Sequence, residues 1–355
     1  LLIAEKSLHK KPAYFKILKK SLDARDKNNI RYIYTIEFSS EKQSEKMPEI
    51  PRLPANKLPA APVLVAGSGP AGLFCAIRLL EHGIRPVVAE RGPCIEEREK
   101  KIEKFTKTRI LDGEGNIQFG EGGAGTFSDG KLNTQTHGGF NREVLETFVR
   151  FGAPEEILWL NKPHIGSDKL KIVVKNMRSF IERSGGTVLF DTRLTDIVVR
   201  NGKIAGAKLS HGKGAAETIE VSALVLAVGH SARDTFEMLL SRGIPLRKKD
   251  FAVGVRIEHL QSEIGFAQYG KSFSALPPAD YKLVSHASDR AAFTFCMCPG
   301  GFVMPAASEE GGVVTNGMSN YARDGRNANS ALVVQVSERD FSGDSPLSGI
   351  EFQRS

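Results

Sequence analysis

Residues 62–92 read PVLVAGSGPAGLFCAIRLLEHGIRPVVAERG. Residues 63–66 are a short apolar run of the kind that makes a buried parallel strand. Gly67, Gly69 and Gly72 follow at G-x-G-x-x-G spacing. Gly67 permits the tight turn. Gly69 leaves room for a pyrophosphate against the backbone, and Gly72 lets the next helix lie close to the strand. That helix is expected to open at Pro70 and Ala71, with its free N–H groups and positive dipole end toward the phosphates. Leu73, Ala76, Ile77 and Leu80 recur at helical spacing, and Gly83 supplies a stop. Residues 86–89 read as the second strand. Glu90 ends it, where a carboxylate can accept hydrogen bonds from ribose hydroxyls and repels a 2′-phosphate. Arg91 follows at the same edge. A strand before the glycines, a helix after them and an acid at the right distance together mark a dinucleotide-binding unit.

This unit alone does not separate NAD from FAD; a second glycine-rich stretch favours FAD. Residues 113–134 read GEGNIQFGEGGAGTFSDGKLNT. Gly120, Gly122 and Gly125 formally repeat the spacing, but no apolar strand precedes them. The stretch reads as a long ordered loop, with backbone N–H groups free to face a cofactor and no side chains to hold a flat ring away. Gly122 and Gly123 lie at its centre, and Ser128 and Lys131 add polar contacts.

The chain has 355 residues, enough for two domains and a small third. No apolar run is long enough to span a membrane. Four cysteines do not make a disulfide framework in a chain this long, which favours a reducing compartment. The expected location is cytoplasmic, or the plastid stroma in a plant or alga. Net charge is +8, and residues 1–60 hold thirteen Lys/Arg against seven Asp/Glu. That basic segment reads first as a solvated appendage, and second as a surface for RNA, an acidic partner or an anionic substrate. Its aromatic residues look like strand residues rather than a base-stacking platform.

Residues 1–46 read as a small basic α/β module, with a short helix over 14–22 and a strand over 30–38. Residues 47–61 are a proline-rich linker. Residues 62–245 form the nucleotide-binding domain. Beyond the first unit it has helices over 93–105, 141–151 and 170–184, and a strand over 187–190. A β-meander over 194–221 follows, then an apolar strand over 223–228 ending at Gly229, and a helix over 234–242. Residues 246–345 read as a largely antiparallel second domain. Its strands are expected over 251–259, 281–285, 291–297, 301–304, 312–315 and 331–336, with a polar loop over 316–329. Residues 346–355 begin a return to the first domain. The fold class is therefore α/β: a Rossmann-like FAD-binding domain carrying an inserted antiparallel β domain, with a small module in front.

Several motifs resemble one family. VAGSGPAGLFCA at 65–76, FGEGGAGTFSDGKLNT at 119–134 and AVGHSARDTFEML at 227–239 are similar to the poorly characterised FAD-dependent dehydrogenases of bacteria and plastids. FAVGVRIEH at 251–259, CMCPGG at 296–301 and NGMSNYARDGRNANSALVV at 316–334 resemble the same family's second domain. The resemblance implies FAD held in the glutathione-reductase manner. It places the pyrophosphate at Gly67–Gly72, the adenosine ribose at Glu90, and the adenine beside Leu194. Residues 122–131 would lie along the flavin side, with Gly229 near the pyrophosphate. The family pattern returns to the first domain with a closing glycine-rich strand and helix. The chain is expected to be C-terminally truncated relative to it, and to retain FAD weakly.

Candidate chemistry falls in two places. His230, Arg233 and Asp234 follow the strand end at Gly229, where strand C-termini line the ligand crevice. There His230 could protonate a reduced substrate and Arg233 could hold an anion, or the group could serve local capping and ion pairing. Cys296 and Cys298 form C-x-C; on one strand they would share a face, for a disulfide or thiolate role or for plain packing. Two cysteines are too few for a structural zinc site, and no metal is expected. The reading is an FAD-dependent oxidoreductase acting on a small molecule, with NAD(P)H as a transient donor. A flavin-containing RNA-modifying or RNA-binding factor is the alternative.

Overall fold

The computed structural model describes residues 6, 10–43, 61–136, 138–286 and 289–355. β1 (Tyr14–Asp23) and β2 (Arg31–Ser39) form an antiparallel hairpin, paired from Tyr14 with Ser39 to Asp23 with Arg31. The helix expected over 14–22 is thus a strand. Its backbone is claimed along its whole length by β2, and Lys20 also bonds backbone to backbone with Trp159 and Asn161. Long-range pairing of this kind overrides local propensity. The linker expected over 47–61 lies, Ala61 apart, outside the described residues.

β3 (Val63–Ala66), α1 (Pro70–Glu81) and β4 (Pro86–Ala89) make the nucleotide unit as the glycine spacing predicts. α2 (Ile95–Thr108), α3 (Phe140–Arg150) and α4 (Ser167–Arg183) follow, then β5 (Thr187–Leu189). β6 (Thr192–Arg200), β7 (Lys203–His211) and β8 (Ala216–Glu220) form the antiparallel meander, and β9 (Ala223–Leu226) leads to α5 (Arg233–Ser241). The four short strands β5-β4-β3-β9 assemble in that order into one parallel sheet. Apolar residues alternate to both of its faces. Val65 and Val88 pack with Leu73, Ile77 and Leu80 of α1 and with Val173, Met177 and Ile181 of α4. Leu64, Ala66 and Ala89 pack with Leu194, Ala207 and Leu209 of the meander. The result is three layers, helices on the sheet on one side and a second sheet on the other.

The second region is antiparallel, as expected. β10 (Phe251–Leu260) runs into α6 (Gln261–Tyr269), a helix the sequence reading missed. β11 (Val284–Ser285), β12 (Ala292–Cys298), β13 (Phe302–Pro305), β14 (Thr315–Met318) and β15 (Asn327–Val336) complete it, and α7 (Ser348–Arg354) ends the described chain. The sheet order is β10-β15-β12-β11, with β13-β14 as a separate pair. Two corrections stand here. The strand expected over 312–315 begins at Thr315, because Gly311 takes a left-handed turn and Val313 is 94% exposed. The loop expected over 316–329 shrinks to 319–326, since residues on both its sides join strands. Ile102 of α2, Ile117 and Phe127 of the long loop, and Ala306 and Met318 of the second region share one small core.

Candidate functional site

The C-terminal ends of β3, β4 and β9 open onto a cleft of about 430 Å³. Gly67, Gly69, Pro70, Ala71, Glu90, Arg91, Gly123, Leu194, Gly229 and His230 line it. Strand ends at the crevice of a parallel sheet are where such folds bind ligands. α1 enters with Pro70 at its first turn, no side-chain cap and no acid in its first turn, which leaves its N–H groups open to an anion. The three glycines divide the work. A Cβ on Gly67 would overlap the Ala227 carbonyl, and φ there is +105°. A Cβ on Gly72 would overlap the Gly67 carbonyl. A Cβ on Gly69 would meet only Gly123 Cα, at 3.9 Å, so its freedom faces the cleft.

Glu90 sits at the expected place, at the end of β4 and on the cleft. It is 5% exposed, and its two oxygens accept from Ser68 N (2.8 Å), Ser68 Oγ (2.9 Å), Gly92 N (2.9 Å) and Gly120 N (3.0 Å). The carboxylate lines the cleft and ties the first glycine turn to the second glycine-rich loop. Arg91 stacks over Phe119, 4.2 Å from the ring centroid, and pairs with Glu114 (2.7 Å) and Asp234 (2.9 Å).

The second loop holds its shape around a residue the sequence reading passed over. Arg98 of α2 is fully buried and donates to the carbonyls of Asn116, Ile117, Gly120, Glu121 and Gly123. Its guanidinium lies 4.7 Å from the Phe127 ring centroid. Burial pulls its pKa down to about 10, against the holding charge of Glu90 and Glu121. A signal was present: Ile95, Arg98 and Ile102 fall on one face of α2, the face that is buried. Glu121 returns the favour by accepting from Ile95 N (2.8 Å), at the start of α2.

The other expected site residues divide. Gly122 packs against Thr126 and Val174, and Ser128 Oγ donates to Gly125 O (2.7 Å); neither lines the cleft. Arg233 is also outside it, paired with Glu309 and bonded to Gln353 (2.9 Å). Of the two readings given for it, holding an anion or ion pairing, the structure shows the ion pair. His230 remains exposed at the cleft.

Lys131, Cys296 and Cys298 come together elsewhere, where the loop meets the second region. Lys131 Nζ is 3.8 Å from Cys298 Sγ and 2.9 Å from Asp129. Asp129, 1% exposed, also takes two bonds from Arg323, one of 2.8 Å. The two cysteines were expected on one face of a regular strand, and the strand is not regular there. Cys296 has φ +50°, and β12 slips register against β15 between Phe295 and Cys298. The partner advances two residues while β12 advances three, so β12 carries a bulge.

His164 adjoins this cluster, donating from Nε2 to Tyr321 O (2.9 Å). Burial, and then the Arg323 cation, pull its pKa down to about 4. A group depressed in the folded state stabilises fully above its unfolded value and loses that contribution as pH falls. Stability should therefore drop between pH ~6.5 and ~4, by about 2–3 kcal/mol after allowance for solvent. Urea melts of the wild type against His164→Gln across that range check this; equal pH slopes would refute it.

Comparisons with known proteins give one family match and several distant structural neighbours. Residues 250–355 match the family model described as FAD-dependent protein, C-terminal domain-like. An uncharacterized protein of Clostridium beijerinckii is 46% identical over 357 residues, across 95% of this chain. The chain spans 66% of that relative's length. Among solved structures, the glycerol-3-phosphate dehydrogenase of Bacillus halodurans in complex with FAD has a TM-score of 0.38 at 13% identity. It covers 83% of this chain and 50% of its own. A geranylgeranyl bacteriochlorophyll reductase-like protein of Thermoplasma acidophilum has 0.38 at 14% identity, over 83% and 59%. The family match lies in the second region, and the cleft in the region before it. An RNA role for the N-terminal hairpin gains no support from them. Among the described residues no helix is long and apolar enough to cross a membrane, and no group of three or more His, Cys, Asp or Glu is placed to hold a metal.

Proposed function

We propose that the chain is an FAD-dependent oxidoreductase of the dehydrogenase type that the sequence motifs resemble, with the nucleotide half of FAD in the cleft below Gly69. The observation that carries this is the pairing of an uncapped α1 N-terminus with a glycine whose missing side chain faces the cleft and not the protein. Bound there, FAD supplies a two-electron acceptor. The protein's part is to hold it. The N–H of Ala71, at the open first turn of α1, would meet the pyrophosphate, and Leu194 would give the adenine an apolar wall. Gly229, left-handed at +73° with open space beside it, lets the phosphates pass. His230, exposed at the rim, can give or take a proton. A small organic substrate and a nicotinamide donor, binding only transiently, belong to the same proposal.

Two glycine substitutions separate cofactor binding from folding. Gly69→Val places methyl groups in the cleft with its Cβ at an ordinary 3.9 Å from Gly123 Cα, so FAD affinity should fall about 100-fold, or ~2.7 kcal/mol, with little change in the apo melting temperature. Gly67→Ala should lower the apo melting temperature itself, through the overlap with Ala227. The measurement is melting with and without excess FAD. An FAD shift in Gly69→Val equal to wild type, or none in wild type, would sink the reading.

A further inference from the structure

The thiols at the β12 bulge lie outside the nucleotide cleft, so nothing said of FAD assigns them a task. In a straight strand residues two apart are held ~6.6 Å apart along the chain. Here the extra residue and the left-handed turn at Cys296 fold the strand back on itself, so that Cys298 Sγ donates to the Cys296 carbonyl at 3.3 Å. A non-glycine residue held left-handed by the surrounding ladder is the kind of strain found at working sites.

The surroundings of the pair are built. Cys298 is fully buried, and its sulfur faces the Lys131 ammonium at 3.8 Å. Cys296 is half-buried. A Cβ on Gly317 would meet Asn329 Oδ1, Arg256 Nη1 and Cys298 Sγ together, so these three groups converge on one point. Arg256 Nη1 donates to Asn329 Oδ1 at 2.7 Å. Two donors there stay open: Arg256 Nε and Asn329 Nδ2 are buried without a hydrogen-bond partner among the described residues, and Asn329 is 0% exposed. Lys131 and Arg256 therefore bring positive charge, Asp129 opposes them, and Arg323 neutralises Asp129.

We propose that Cys296 and Cys298 are a redox dithiol that exchanges with small disulfides, with Cys296 as the attacking sulfur and Cys298 as the resolving one. The Cys296 thiolate attacks one sulfur of the incoming disulfide. The S–S bond breaks, a mixed disulfide forms at Cys296, and the first thiolate leaves and takes a proton from water. Cys298 then attacks Cys296 Sγ, the mixed S–S bond breaks, and the Cys298 proton passes to the second thiolate as it leaves. The dithiol loses two electrons and the small disulfide gains them. The assignment of roles follows from burial, since charge rests more readily on the half-buried sulfur than on the enclosed one. The same arrangement acts on acidity. The hydrogen bond from Cys298, and then the charges of Lys131 and Arg256, draw the Cys296 thiol down to about 6 against its burial, while Cys298 is pushed up.

The probe is glutathione disulfide, offered to the whole chain without added flavin. After denaturation, alkylation and trypsin, peptide 291–323 carries both thiols and no other cysteine. The wild type should lose two hydrogens from this peptide and keep no glutathione. Cys298→Ser should keep one glutathione on Cys296, and Cys296→Ser should do neither. Iodoacetamide should label Cys296 of the wild type with a midpoint near pH 6, moving upward in Cys298→Ala, which removes the donor. The wild-type results need no variant to fold. A wild-type peptide that stays fully reduced, or a wild-type midpoint near ~8.5, overturns the proposal and leaves the FAD reading untouched.

Discussion

Arg98→Met should cost about 4 kcal/mol of stability and lower the melting temperature by roughly 10 °C. The methionine fills most of the volume and removes every donor. Five loop carbonyls then face a dry interior with nothing to pair with. Glu90 and Glu121 lose the cation that faces them in the same enclosed space. Arg98→Lys keeps the charge but presents a single nitrogen where a planar fork reached five oxygens, so it should recover less than half of the loss. The damage should be local before it is global. Amide exchange over residues 116–123 should speed up at temperatures where β3 and α1 stay protected. Thermal melts and exchange by mass spectrometry check both points. If Arg98→Met melts within a degree or two of wild type, the buried guanidinium does not organise the loop.

The ease of reading this chain followed the range of the interactions involved. The turn at Gly67–Gly72 was legible because each glycine answers to a neighbour within a few residues or in the adjoining strand. Gly72 clears Gly67, and Gly67 clears Ala227 at the end of the next parallel strand. The meander was legible from alternation and one Asn-Gly turn at 201–202. The place of Glu90 at a strand end was legible but its bond from Gly120 was not, since Gly120 lies thirty residues on and no spacing announces it. β1 failed because its strand character comes from β2 and from the Trp159–Asn161 backbone, not from its own composition. The cysteine bulge failed for a related reason. An extra residue in β12 exists only relative to β15, and C-x-C in isolation looks the same with or without it.

Asp129→Asn should be the costliest change at the contact between the long loop and the second region, about 3–5 kcal/mol. The carboxylate is 1% exposed and answers two cations, Arg323 from the 319–326 loop and Lys131 from its own loop. An amide returns one oxygen and turns an N–H₂ toward a guanidinium, so both cations are left short inside a low-dielectric contact. Burial raises the Asp129 pKa, but the Arg323 bond and the Lys131 charge outweigh it, and the net direction is down. A depressed carboxylate stabilises the fold fully above its unfolded value of ~3.9 and loses that contribution as pH falls through the folded one. The Asp129→Asn deficit should therefore be complete at pH 7 and shrink in strong acid, below the range in which His164 titrates. Removing the partner is the sharper test. Asp129→Asn with Arg323→Met should be more stable than Asp129→Asn alone, because the second change deletes a stranded charge instead of a bond. Urea melts of the two single variants and the double variant decide it. Strict additivity of the losses would mean that Asp129 and Arg323 act independently, and that the loop is held to the second region by the small apolar core of Ile117, Phe127 and Met318 instead.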